Sequence, residues 1–575
     1  MPRLATARNL AVYALLALAA ACNQADDDAG YSAGILEYVP ADTPYLFASP
    51  GPVPDDVYEK IEPKMDRLLA AYRDVIRFSL REGLEDRELD SEESEIEAER
   101  VVAVVDRLVG MFSSEGMVQA GLDRDSAVAL YGAGLLPVLR VELADTAAFE
   151  RTLAELESEA GTDMQRASLD DVTYRYAGDE NARVLVAVQD DHMVATLVPT
   201  SLGEDGLRSV LGIAKPARSV AASGELAQLA ERYGYTSFGA GYVDFRRIAA
   251  VFLDEQSGVN AEVLALADYD HTRLSDVCRE EIRGMAAIAP RLVTGYTEYS
   301  AERMVSNTVL ELREDIAKGL SALTAPVPGL GRDQGGMVSF GMSIDLAAAR
   351  DFYSSRLDAI EATPYKCELF ADLQSGVAQG RAVLEQPVPP IVYGFRGFLA
   401  VVDEVTGLDV ANKQPPTSID MRFLLASENA PGLVAMGSMF SPELAMLNLQ
   451  ADGKAVRFES PQLQPPVEEA WLAMTDSAIS MAVGKNGEKQ ATTLLEQPAG
   501  SPPPLFSMHM DAGRYYAFIG DAVAMEQDGE DVSPEIGAAV KELMLALGDL
   551  IERVSVSVLL TERGMEIPAV TTLAD

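Results

Sequence analysis

The stretch that most constrains this fold is residues 324–336, TAPVPGLGRDQGG, because the order of elements begins again beyond it. Proline and glycine at this density break helices and strands alike and mark a boundary. Ahead of it, the pattern reads as a strand after the turn at Pro40 to Pro44, then a helix over 55–84. That part closes with a strand at 237–244, helices at 245–253 and 275–288, and a hairpin over 292–312. Beyond the boundary, 337–345 enters a helix as 45–64 does. GFLAVVDEV at 397–405 is matched with VVAVVDRLV at 101–109, while 419–426 and 434–439 stand where 127–143 stood. Residues 456–458 match 172–174, and 471–483 match 185–198, each of the latter two a strand pair around an Asp-containing turn. Residues 505–519 parallel 237–252, a helix at 533–547 answers 275–288, and 554–573 is again a hairpin.

The expected fold is therefore α+β: two related halves, 35–323 and 337–575, with 324–336 as linker. Each half is expected to be a mostly antiparallel sheet with helices packed on one face. The alternation Val554, Val556, Val558, Leu560 argues for one packed side and one wet side. A chain of 575 residues also favours more than one domain.

The amino terminus gives an address. Arg3 and Arg8 precede an apolar run, LAVYALLALAAAC, ending at Cys22. That is the pattern of a secretory signal over 1–21, and the run is shorter than the roughly 20 residues that span a bilayer. The small residues Ala19, Ala20 and Ala21 before Cys22 resemble the lipobox of bacterial lipoproteins, with Leu18 one position earlier than usual. The resemblance implies a lipidated Cys22, an acidic tether over 22–34 and, with Asn23 next, the outer membrane facing the periplasm. Cys278 and Cys367 then remain as a pair in a compartment where disulfides persist, and they are expected to be joined.

The opening Tyr38-Val39-Pro40-Ala41-Asp42-Thr43-Pro44 resembles an uncharacterised family of bacterial envelope lipoproteins with a YVPADT-type start, and it brings no activity with it. The formal charge of −44 disfavours nucleic acid, which demands Lys and Arg contacts, and repels anionic lipid.

The search for chemistry is negative. His192, His271 and His509 are the only histidines, without metal-ligand spacing, and no nucleophile elbow or phosphate loop occurs. Asp244, Asp345 and Asp511 recur at strand-to-helix junctions and read as helix caps. Asp268 and Asp270 lack the Gly and distal Glu of a calcium loop. No catalytic residue, metal or cofactor is assigned. Tyr296, Tyr299, Tyr393, Phe395 and Phe398 are candidates to line a groove, with Met474, Met481, Met508 and Met510 adding adaptable apolar surface. The leading expectation is a non-catalytic cell-envelope lipoprotein that acts as a binding or scaffold module for another envelope component, an envelope protein or an apolar ligand. The alternatives are a carrier of an apolar or acyl ligand in a sheet-lined cavity, and a carboxylate-based hydrolase.

Overall fold

The computed structural model describes residues 34–85, 92–161, 163–408, 415–459, 467, 470–525 and 533–575. The signal over 1–21, Cys22 and the tether up to residue 33 lie outside the described residues.

Strand β1 (Tyr45–Ser49) leads into α1 (Asp55–Glu85), and α2 (Glu92–Gly110) packs against it. Then follow β2 (Val128–Ala133), β3 (Leu136–Glu142) and α3 (Thr146–Ala160). A meander of β4 (Gln165–Leu169), β5 (Val172–Gly178), β6 (Ala182–Gln189) and β7 (His192–Pro199) comes next. Helices α4 (Glu204–Leu211) and α5 (Glu225–Tyr233) precede β8 (Ala240–Asp244). After α6 (Phe245–Leu253) and α7 (Asp276–Ala286), the hairpin β9 (Arg291–Tyr299) and β10 (Arg303–Glu311) ends in α8 (Glu314–Ser321).

The chain continues with β11 (Val338–Ser343), α9 (Leu346–Ala362), α10 (Ala371–Leu384), β12 (Phe395–Thr406) and β13 (Ser418–Ser427). Helices α11 (Ala430–Gly437) and α12 (Pro442–Met446) are followed by β14 (Val456–Phe458), β15 (Ala470–Met474) and β16 (Ala478–Val483). Helix α13 (Gly487–Glu496) precedes β17 (Phe506–Asp511). Helices α14 (Ala512–Met525) and α15 (Pro534–Leu550) lead to the last hairpin, β18 (Ile551–Thr561) and β19 (Gly564–Leu573).

The nineteen strands among the described residues form one antiparallel sheet rather than two. Its order is β4-β5-β6-β7-β3-β2-β1-β8-β9-β10-β19-β18-β17-β11-β12-β13-β16-β15-β14. The seam between β10 and β19 is a run of nine consecutive residue pairs.

The expectation of helices on one face is corrected. On one face, here called closed, Leu46, Tyr131, Val138 and Leu185 bury against α4 and α5 through Leu207, Val210, Leu226 and Leu229. Further along the same face, Leu399, Val401 and Leu424 pack against Leu494 of α13. The opposite face also carries helices. Phe149 and Leu153 of α3 cover Val186, Val188 and Met193, and Val434 of α11 covers Leu472 and Ile479. The sheet is wide enough that both faces present apolar area, so both recruit helices.

The stretch 324–336 is built of turns, yet Val327 and Leu330 are buried in the same cluster as Leu399 and Leu424. It is a strap over the closed face. Two other matches are corrected: residues 397–405 lie in a strand, β12, whereas 101–109 lie in helix α2, and 434–437 belong to helix α11.

The aspartates do cap helices. Asp145 Oδ1 accepts from the Ala148 amide at 2.9 Å, Asp345 Oδ1 from Ala348 at 2.9 Å, and Asp244 Oδ1 from Arg246 and Arg247 at 3.0 Å. Asp511 Oδ1 accepts from Arg514 at 3.1 Å. Each turns a strand end or loop into a helix start by satisfying free amides there.

Candidate functional site

The caps at Asp244, Asp345 and Asp511 launch helices from the ends of central strands, and those helices gather into two groups. At one end of the strands α1, α14 and α15 pack together, with Arg67 paired to Glu542 at 2.7 Å and also to Asp549. At the other end α7 meets the turn between α9 and α10, where the sulfurs of Cys278 and Cys367 lie 2.03 Å apart, at disulfide distance. Glu281 of α7 accepts from the amides of Lys366 and Cys367 at 2.9 and 3.0 Å. Both groups lean onto the second face of the sheet. Val57 and Ile61 of α1 cover Tyr296 and Met304, while Leu320 of α8 and Phe352 of α9 cover Leu560 and Met565.

Between these supports the second face is open. On three strands its chemistry inverts the usual alternation, in which the large apolar side chains point to the packed side. In β11, β17 and β16 the closed side holds small polar residues: Ser339 is 2% exposed, Ser507 1% and Ser480 0%. The large residues point to the open side, where Phe340 is 40% and Phe506 37% exposed. Register makes this floor continuous: Val556, Met508, Phe340, Ala400, Phe423 and Met481 are successive partners on six neighbouring strands. At about 4.8 Å per strand, such a row extends roughly 24 Å.

The floor continues across the seam into β9, β8 and β1. There it hollows: Gly241 lies opposite Phe47, which is 38% exposed, and Gly239 lies beside Ser49 and Tyr296. A Cβ on Gly241 would sit 2.5 Å from the Phe47 ring, so only glycine leaves that space. The resulting hollow of about 310 Å³ is lined by Phe47, Leu130, Gly239, Thr294, Tyr296 and Ser306. That volume is at the lower end of the range of small-molecule sites, about 300–1,000 Å³.

Of the residues proposed from sequence, Tyr296, Phe398, Met481, Met508 and Met510 lie on this face. Tyr299 stacks on Phe238 at 3.8 Å beneath α1, and Met474 is buried in the cluster with Val434 of α11. Tyr393 and Phe395 sit at the entry to β12, where the Tyr393 hydroxyl accepts from Arg350. Phe47, Phe340, Phe423 and Phe506 are the additions from structure. Their signal was the serine or glycine alternating with each large residue, as in VSFGMS and FSMHMD.

The polar candidates are held apart or already engaged. His192 lies beside Asp191 and His509 beside Ser507, on distant strands, and burial pushes both imidazoles below their usual pKa. Asp270 accepts from the Thr272 amide at 2.9 Å. Glu368 lies near Cys278 and Cys367, but joined sulfurs offer no thiolate to a metal. A polar hollow of about 400 Å³ is lined by Arg232, Arg247, Arg291 and Glu225. Three of its arginines are paired, Arg247 with Glu225 at 2.9 Å, Arg291 with Glu311 at 2.9 Å and Arg232 with Glu311 at 3.4 Å, and Arg218 also lines it. No family model, curated protein or solved structure matches the chain.

Proposed function

We propose that this chain is a non-catalytic lipoprotein of the bacterial cell envelope that holds an apolar ligand, an acyl chain, along the open face of its sheet. One observation carries the reading: large apolar side chains point away from the packed side while serines are buried beneath them. Leaving Phe340 and Phe506 facing water has a hydrophobic cost that an occupant removes. Methionines at 342, 421, 481, 508 and 510 supply flexible, polarizable contact that adapts to a bending chain. The carboxylate-hydrolase reading gains no comparable support, because the buried Glu311 and Glu566 are tied to Arg291 and Arg563 and held ionised.

The address belongs to the same proposal: export over 1–21, lipidation at Cys22 and attachment to the outer membrane on the periplasmic side. The proposal also includes a duplication. The order β5-β6-β7-β3-β2-β1-β8-β9-β10 has the counterpart β14-β15-β16-β13-β12-β11-β17-β18-β19, with helices launched after β1 and β11 and after β8 and β17. That correspondence supports two related halves, 35–323 and 337–575, meeting at the seam.

The test is displacement of a dansyl-labelled fatty acid by palmitate on the full-length protein. Saturable binding that falls at least tenfold in a Phe340→Asp, Met508→Asp variant of unchanged circular dichroism supports the reading. Absence of binding to the wild type, or equal binding to the variant, contradicts it.

A further inference from the structure

The helical pair α11–α12 ends in an apolar tip. Met439 is 81% exposed, Phe440 84% and Met446 77%. Around them residues 429–451 contain a single charge, Glu443, in a chain where 24% of residues are charged. Solvent-facing turns ordinarily carry the charges; this one has shed them.

The backbone amides of the tip are bonded within it. The amides of Ser438, Met439, Phe440 and Ser441 donate to Val434, Met436, Gly437 and Gly437 at 2.8–3.1 Å. The Ser438 hydroxyl donates to the Val434 carbonyl at 2.8 Å, and Ser441 Oγ caps α12 by accepting from the Leu444 amide at 3.2 Å. Apolar side chains around internally bonded amides are what a hydrocarbon boundary tolerates, since each unsatisfied group there costs several kcal/mol. A protein partner would instead be met by polar groups at roughly one hydrogen bond per 100–200 Å² of interface.

We infer that Met436, Met439, Phe440 and Met446 form a membrane-insertion tip that enters the interfacial region of a lipid bilayer. The occupant is lipid of low net charge, because the acidic body opposes anionic headgroups. The base of the tip, Ala430 and Val434, packs on Leu472 and Ile479, which continue the open face of the sheet. Resting on the proposed acyl site, this places the end of the floor next to the membrane from which a chain would be drawn.

The experiment uses the full chain in phosphatidylcholine vesicles with and without brominated acyl chains. Trp471 is the only tryptophan, so a Phe440→Trp, Trp471→Phe variant reports from the tip alone. A Tyr353→Trp, Trp471→Phe variant reports from an exposed position on α9. The expected result is a blue shift and bromine quenching at position 440 and neither at 353. Water-like, unquenched emission at 440, or equal quenching at both positions, overturns the proposal. Quenching is independent of acyl binding: if the Phe340→Asp, Met508→Asp changes abolish ligand binding but leave it intact, the tip stands. If quenching is absent while ligand binds, the tip fails and the site stands.

Discussion

Asn307 of β10 lies opposite Pro568 of β19, at the midpoint of the nine pairs that carry the sheet from one part of the chain to the other. Proline within a sheet has no amide to give the ladder and is ordinarily confined to edges and bulges. Here side chains reinforce the seam. The Tyr235 hydroxyl donates to the Asn307 carbonyl at 2.9 Å, and Asn307 Nδ2 donates to Glu566 at 3.1 Å. Tyr235→Phe is expected to lower unfolding free energy by about 1 kcal/mol, the net value of one such bond, as read by urea denaturation.

The seam also predicts a pH dependence. Burial pushes the Glu566 carboxyl up, but Arg563, Thr561 and Asn307 together hold it below its ordinary 4.5. Glu311 is likewise raised by burial and drawn below 4.5 by Arg291 and Tyr233. Both folded pKa values are depressed, so the unfolded chain takes up protons first as pH falls. Their contribution is complete above 4.5 and is lost as pH drops through the folded values. Melting temperature should fall across that acid window, and a Glu566→Gln variant should be less stable at pH 7 with a shallower acid decline.

Gly241 leaves room for the Phe47 ring, which lines the hollow. A Gly241→Ala change places a methyl 2.5 Å from the Phe47 ring and 2.6 Å from the Leu46 carbonyl oxygen. Overpacking of this kind costs about 1–3 kcal/mol. Thermal denaturation should register the loss, and fatty-acid affinity should weaken with it.

The Cys278–Cys367 pair spans 89 residues and ties α7 to the turn before α10. A Cys278→Ser, Cys367→Ser variant should lose roughly 2–4 kcal/mol of stability. Reductant should destabilise the wild type by a similar amount and leave the variant unchanged, as measured by urea titration.

Much of this architecture is legible in the residues. The expected pairing of Cys278 and Cys367 rests on the export address that the amino terminus implies, while the capping aspartates and the last hairpin, which turns at Glu562 and Arg563, follow from local chemistry. The apolar run at 397–405 does not, because a short run has no period that separates strand from helix. Residues 324–336 carry the composition of a free connection, and only packing distinguishes a strap with buried Val327 and Leu330. The side of the sheet left open is hidden for a further reason. Alternation in β18 tells that valine and serine take opposite faces, but the burial of serines on β17 and β11 is set by what covers those faces elsewhere in the chain.

Native mass spectrometry of the full-length protein extracted from membranes addresses the acyl site most directly. The account predicts a population heavier than the anchored chain by one acyl lipid, lost in the Phe340→Asp, Met508→Asp variant. Wild-type protein that carries no adduct, or a variant that retains the same one, would contradict it.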